Sequence, residues 1–420
     1  MMHFKGLYFC DFTKVFDWKL SIEEIENKTR SKWERFYKLL RSLSGLILHL
    51  IYKYHTIEIH SRQDNKILFL YNPVRDRKDI MKLFLDVADT IENKQYDFIK
   101  WNIIKAFSLK RFYKMSLLCF TWGIVLLKQK YLFKQTILTL RILLEIKDKQ
   151  DELEHLVNIN KYQLLVVLYD AYPIDNYFSQ LFKLNGIKTA TLQHGVMLAP
   201  RKEIENNIDF AGLEFKNFIS DYFLVWNQFT KNEAIKAGLD ENKIKVLGIA
   251  KCLNSQSMEF GSKKVFGIIL DGEYEKENNS IMIDIANIFA EKMNYGFIVR
   301  YHPNFKGNEY ANRINNNHGK TCEKATSLIE FFNEISFCII SNSTVLFEIL
   351  YWGGEVYHYS SLTPNDKFKD LNIPSFHTAD ELLNLFKTRN KKATFPEICG
   401  PKNIKERYRR FFKEIVCKVV

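Results

Sequence analysis

The feature that most constrains the fold of this chain is a rhythm of short apolar, β-branched runs separated by amphipathic stretches, and it occurs twice. In the first half the runs are "KILFLYNP" (66–73), "QLLVVLYD" (163–170), "KTATLQ" (188–193) and "YFLVWN" (222–227). Between them, "DIMKLFLDVADTIE" (79–92) has apolar residues three and four apart, the spacing of one helix face. "PIDNYFSQLFKLNG" (173–186) reads the same way, with Gly186 placed to end the helix. The second half restarts the series. Strands are expected at "KVFGIIL" (264–270), "GFIVRYHP" (296–303), "SFCIIS" (336–341) and "EVYHYS" (355–360), and helices at "NSIMIDIANIFAEKM" (279–293) and "TVLFEILYWG" (344–353). Alternation of this kind belongs to parallel sheets covered by helices on both faces. The expectation is an α/β chain of two Rossmann-like domains facing each other across a cleft, over residues 1–250 and 251–420. A helix-rich insert over about 95–160 interrupts the first domain, the polar stretch 249–264 links the two, and the final helix is free to pack back on the first.

The bulk properties agree with that size and class. At 420 residues, 46% hydrophobic and 26% charged, the chain can build two ordinary cores. Its net charge is +12, and residues 101–150 alone hold ten Lys/Arg against two Asp/Glu, a local +8. A basic, aromatic-rich stretch suits an anionic membrane surface or nucleic acid, and equally a set of helices with solvated lysines. No nucleic-acid motif is visible, so nucleic acid is not expected as a partner. The longest uncharged apolar run, "MSLLCFTWGIVLL" (115–127), has thirteen residues, short of the about 20 a membrane-crossing helix needs. It reads as a buried helix or one lying in a membrane interface. The seven cysteines are scattered, with no C-x-x-C pair, so neither a zinc ribbon nor a disulfide framework is expected and a reducing compartment is. The opening "MMHFKGLYFCDFTKVF" does not read as a signal peptide.

Ligands of open parallel sheets bind at the carboxyl ends of strands, and four polar clusters stand at such ends. They are Gln193-His194-Gly195, Asp271-Gly272-Glu273, Arg300-Tyr301-His302-Pro303 and Ser341-Asn342-Ser343-Thr344, the last followed by Glu348. Each also has an ordinary structural reading: a hydrogen-bonded histidine, a turn aspartate, or a helix cap at Ser343 or Thr344. Read functionally, Arg300 and His302 would hold one anion. The serine-rich turn at a helix start would bind phosphate, and Glu348 would accept from ribose hydroxyls. Absent motifs narrow the chemistry. There is no Asp-x-Asp pair, no H-E-x-x-H, no G-x-G-x-x-G after an early strand and no G-x-S-x-G elbow. "HGKT" (318–321) mimics half of a P-loop, but Ile314 stands where its first glycine belongs. No metal and no bound cofactor is expected. What fits is group transfer from a nucleotide-activated donor. The leaving phosphate needs positive charge or donors, and the acceptor hydroxyl needs a base near neutral pKa, His194 or Asp271.

At these residues the chain resembles the GT-B superfamily of glycosyltransferases, in particular the bacterial branch that builds capsule, teichoic-acid and other surface polymers. The CDP-glycerol glycerophosphotransferases share a His-Gly signature, an Arg-x-His-Pro and a Ser-rich turn, corresponding here to His194-Gly195, Arg300-Tyr301-His302-Pro303 and Ser341-Asn342-Ser343-Thr344. The resemblance spans roughly 160–355. It implies His194 as base and His302 as a donor-phosphate contact. The chain departs from it at Gln193, where that family usually carries tryptophan, and at Asn342, where it usually carries aspartate. Bacterial sialyltransferases are also similar, through Asp271-Gly272, His302-Pro303 and Ser343-Thr344, with Leu270 in place of a first acid. That likeness implies Asp271 as base, with Gln193, His194 and Gly195 on the acceptor side. The resemblances together imply a metal-independent glycosyltransferase of surface-polysaccharide synthesis. It would use a nucleotide-sugar donor and a glycan or lipid-linked acceptor, and would be cytoplasmic at the inner membrane face. A CMP-sialic-acid-type or polyol-phosphate transferase of the same fold, a sugar-nucleotide epimerase of the same build, and a basic nucleic-acid-binding protein are the alternatives.

Overall fold

The structure is a computed structural model. It describes all residues except 1–3, 5, 6, 9, 30, 61–64, 73–77, 201–214, 254–259, 261, 262, 273, 274, 304, 306–308, 324, 325, 362–365, 389–395 and 418–420. The chain divides into two compact units. The first comprises Met1–Trp226, Thr230–Ala250 and Asn403–Val420, and the second Asn227–Phe229 and Lys251–Lys402.

The first unit opens with helices α1 (Phe12–Thr29) and α2 (Lys32–Ile51). A capping box starts α2: Ser31 Oγ accepts from the Glu34 amide at 3.3 Å while the Ser31 amide donates to Glu34 Oε2 at 2.8 Å. There follow β1 (Tyr52–His60), β2 (Ile67–Tyr71), α3 (Lys78–Ala88), β3 (Tyr96–Phe107), α4 (Leu109–Lys128) and α5 (Phe133–Leu156). Then come β4 (Leu164–Val167), α6 (Pro173–Leu184), β5 (Lys188–Leu192), β6 (Tyr222–Val225) and β7 (Ile244–Val246). The seven strands form one sheet in the order β1-β3-β2-β4-β5-β6-β7, parallel except for the β1–β3 pair. Strands β2 and β4 are buried at every residue, as a strand covered on both faces must be. Proline at the start of α6 and Gly186 (φ +74°) just beyond its end are where a helix tolerates them.

The insert expected over about 95–160 is helical only from Leu109. Its first dozen residues are β3, which pairs with β2 on one side and with β1 on the other. Pairing with a strand some fifty residues earlier is a non-local event that no local pattern announces. Helices α2, α4 and α5 pack on one another over a core that includes Trp101, Trp122 and Leu143. A buried polar knot ties them together. Arg111 Nη2 meets Asp148 Oδ2 at 2.5 Å, His49 Nε2 meets the same oxygen at 3.2 Å, and Arg111 Nη1 donates to the His49 carbonyl at 2.7 Å. Among the described residues no helix is long and apolar enough to cross a membrane.

The second unit contains β8 (Val265–Ile269), α7 (Lys276–Met293), β9 (Gly296–Arg300), β10 (Gly319–Thr321), α8 (Leu328–Asn333), β11 (Cys338–Ile340), α9 (Val345–Tyr351), β12 (Val356–Tyr359), β13 (Ser375–Phe376) and α10 (Ala379–Thr388). Its strands run parallel in the order β10-β9-β8-β11-β12-β13. Counted along the chain this is 3-2-1-4-5-6, the doubly wound Rossmann order. "HGKT" ends in β10 and is not a phosphate loop. Half of the linker expected over 249–264 lies outside the described residues. The last helix, α11 (Ile404–Cys417), belongs to the first unit, with Phe412 against Phe69 and Phe411 against Tyr222 at ring distances of 5.7 and 5.4 Å. Its start crowds Gly248 (φ +113°), where a Cβ would come within 2.7 Å of Ile404 Cγ1, so only glycine fits. The sequence therefore specifies an α/β fold of two Rossmann-like units, as its rhythm predicts.

Candidate functional site

In the second sheet the strand order reverses between β8 and β11, and at the carboxyl ends of such a pair open parallel sheets have their ligand crevice. The polar residues beyond those ends meet there. Asp271 lies two residues past β8 and is 4% exposed; its Oδ2 accepts from the Asn342 amide, beyond β11, at 2.9 Å. Asn279 on α7 holds the Asp271 backbone from both sides, accepting from its amide at 2.9 Å and donating to its carbonyl at 3.1 Å. The Asn342 side chain donates to Glu275 Oε1 at 3.3 Å and accepts from the Lys367 amide at 2.7 Å. Burial pushes the Asp271 carboxyl up to about 7; the Asn342 amide and Lys367 oppose this, while the neighbouring acids Glu275 and Asp366 add to it. A carboxyl in that range can exchange a proton near neutrality.

The half-buried His302 borders the same crevice, its Nδ1 4.0 Å from where a Cβ on Gly272 would stand. Pro303 is exposed beside it. Ser341 is fully buried, and among the described residues its hydroxyl has no hydrogen-bond partner. Ser343 and Thr344 are half-buried at the start of the seven-residue α9, where Thr344 makes no side-chain cap. Asp271, Gly272, His302, Ser341, Asn342, Ser343 and Thr344 thus surround one switch point.

Two residues expected there are engaged elsewhere. The Arg300 guanidinium donates to the Thr326 carbonyl at 2.9 Å and lies over the Phe331 ring at 5.6 Å, which ties β9 to α8. Glu348 is buried on α9 and accepts from Lys251 at 3.2 Å. A position after a strand is legible in sequence; the direction of a long side chain is not. A further buried group, His358 on β12, holds Asp366 Oδ1 at 3.2 Å and the Ser375 hydroxyl at 3.1 Å. Burial alone would raise the Asp366 carboxyl, but His358, the Ser360 hydroxyl and the Phe368 amide hold it below its ordinary value. Sequence reasoning passed over Asn279, Glu275 and Asp366; Asn279 carried a signal, standing eight residues after Asp271 on the helix that follows β8.

The first unit has its own reversal, between β2 and β4. Around it stand several buried polar residues. Lys149 is fully buried and donates to Asn72 Oδ1 at 2.6 Å and Glu145 Oε1 at 2.8 Å. Asp170 Oδ2 accepts from the amides of Ile219 and Ser220 at 3.0 and 2.7 Å, and Asp175 Oδ2 from that of Tyr169 at 3.1 Å. Burial raises both carboxyls, Asp175 strongly even with Lys149 pulling it down. His194, past β5, packs edge-on to Tyr169 at 4.5 Å, and Tyr169 stacks on Tyr172 at 4.0 Å. His194 and Asp170 line the same small cavity. Gln193, expected as an acceptor-side contact, is fully buried and spent on the fold. It accepts from the Trp226 amide at 2.7 Å and donates to Thr230 Oγ1 at 3.0 Å and the Gly195 carbonyl at 2.8 Å. Gly195 is half-buried, with open space where a side chain would be. Among the described residues no group of three or more His, Cys, Asp or Glu is placed to hold a metal ion.

No family model matches the chain, and no curated protein sequence matches it. Solved structures do. A Staphylococcus aureus protein, MnaA, solved with UDP, is similar at a TM-score of 0.53 and 12% identity, over 84% of this chain and 98% of its own. A UDP-GlcNAc 2-epimerase from Neisseria meningitidis, bound to UDP-GlcNAc, is similar at 0.52 and 12% identity, over 84% of this chain and all of its own. The wall teichoic acid polymerase TagF is similar at 0.47 and 13% identity, over 93% of this chain and 100% of its own, too distant a likeness to carry an argument. At such identities the likeness is one of fold, and the fold is GT-B.

Proposed function

We propose that this chain is a nucleotide-sugar enzyme, and specifically a glycosyltransferase working without a metal. The single observation that carries the reading is the Asp271–Asn342 contact at the switch point of the second sheet, where a proton-exchanging carboxyl, a histidine and an orphaned serine hydroxyl converge. In this reading the Ser341–Thr344 turn and His302 bind the donor's phosphates and so stabilise charge on the leaving nucleotide. Asp271 accepts the acceptor's proton as the new glycosidic bond forms and the sugar–phosphate bond breaks. The base is Asp271 rather than His194, because Asp271 belongs to the same crevice as the phosphate-binding groups. His194, beside Tyr169, serves the acceptor, a glycan or lipid-linked sugar.

A second reading is favoured by the likeness in fold to UDP-GlcNAc 2-epimerases. The same crevice would then hold a sugar nucleotide whose sugar is epimerised and kept. One assay separates the two. With nucleotide sugars supplied with and without glycan acceptors, a transferase releases free nucleotide in step with glycosylated product, and Asp271→Asn lowers kcat by about a hundredfold or more with donor affinity retained. Isomerised nucleotide sugar with no acceptor dependence would establish the epimerase instead.

A further inference from the structure

On the first unit, α2 and α4 turn large apolar side chains to solvent. On α4 the exposed residues are Leu109, Tyr113, Leu117, Phe120, Ile124 and Leu127, recurring every three or four positions and therefore along one face. Tyr113 is 74% exposed and Phe120 69%, whereas Met115, Leu118, Trp122 and Leu126 on the other side are buried. Helix α2, which packs beside α4, repeats the arrangement with Trp33 at 81% and Tyr37 at 70%, followed by Leu40 and Ile47. Such a surface calls for an occupant.

Charge says which. No Asp or Glu occurs between Asp97 and Glu145, while Lys110, Lys114, Lys128 and Lys130 flank the α4 face, and Lys32, Arg35 and Arg41 accompany that of α2. A second copy docked face to face would set these lysines against their own kind with no acid on α4 to pair them. An anionic lipid surface complements them, and tryptophan and tyrosine favour the boundary between headgroups and acyl chains. From this geometry we infer that α2 and α4 form a membrane-docking surface that lies in the interface of an anionic bilayer without crossing it. The basic stretch anticipated in residues 101–150 is only half of it; α2 supplies the other half. This inference stands on the exposed helix faces and does not depend on the chemistry assigned to Asp271.

Co-sedimentation of the full chain with phosphatidylglycerol–phosphatidylcholine vesicles and with pure phosphatidylcholine vesicles tests it. Binding to the anionic vesicles should exceed binding to the neutral ones by about tenfold or more and weaken as salt is raised. Leu117→Glu/Phe120→Glu should lose about tenfold on the anionic vesicles, with the far-ultraviolet circular dichroism of the wild type. Lys110→Glu/Lys128→Glu, which leaves the apolar face intact, should lose a similar factor and serves if the first variant fails to fold. Equal capture by both lipids would overturn the inference, as would undiminished binding of both variants. So would a dimer by light scattering that Phe120→Glu dissociates while wild type ignores both vesicles.

Discussion

Asp271 shows how one buried side chain couples chemistry to stability. The fold holds its proton more tightly than the unfolded chain does, since burial lifts the carboxyl from an ordinary 3.8 to about 7. Its stabilising contribution is therefore complete below 3.8 and is lost as pH rises through about 7. Asp271→Asn, whose amide oxygen can still accept from Asn342, should raise the unfolding free energy above neutral pH by about 1 kcal/mol or more while lowering kcat by about a hundredfold or more. Urea titrations across pH check this; a variant less stable than wild type at alkaline pH would contradict the burial argument. Arg300 is the opposite case. The sequence alone suggested an anion ligand, but its guanidinium joins β9 to the segment entering α8. Arg300→Ala should cost about 1.5 kcal/mol of stability and leave nucleotide affinity within about twofold of wild type. A tenfold loss of affinity at unchanged Tm would reverse that assignment.

Among the elements, the buried parallel strands were the legible part. Strands β2, β4, β8 and β9 are short apolar runs, as buried parallel strands are; β5 is legible through its β-branched threonines. The turns beyond them could be read as ligand-facing by the same logic. Helices α1 and α2 and the antiparallel β1–β3 pair were not read, because their partners are distant in the chain and β1 is an edge strand. The switch-point residues Lys149, Asn72 and Asp175 of the first unit have no local mark for a related reason: Lys149 sits on a helix that carries charges of both signs, and its partner Asn72 is distant in the chain. The knot of Arg111, His49 and Asp148 is another long-range feature, and it carries a prediction for the helical layer. Asp148→Ala strands a guanidinium that is nearly buried, and should destabilise the chain by about 3 kcal/mol in denaturant unfolding. A change below about 0.5 kcal/mol would mean that packing alone holds α2, α4 and α5 together.

At the scale of the whole molecule, each unit carries its own candidate surfaces. Three places carry proposed roles: the β8–β11 switch point of the second unit, proposed to bind phosphate; His194 and its aromatic neighbours on the first unit, proposed to serve the acceptor; and the exposed faces of α2 and α4, inferred to dock on lipid. Of the net charge of +12, residues 101–150 alone account for +8, so the basic excess is concentrated in the stretch that contains α4. The central claim is that a nucleotide binds at the β8–β11 switch point. Calorimetric titration of CMP, CDP, UDP and GDP into wild type and His302→Ala tests it most directly. The account predicts that at least one nucleotide binds wild type and that His302→Ala weakens it about tenfold or more with unchanged Tm. Absence of binding by all four, or equal affinity in the two proteins, would contradict it.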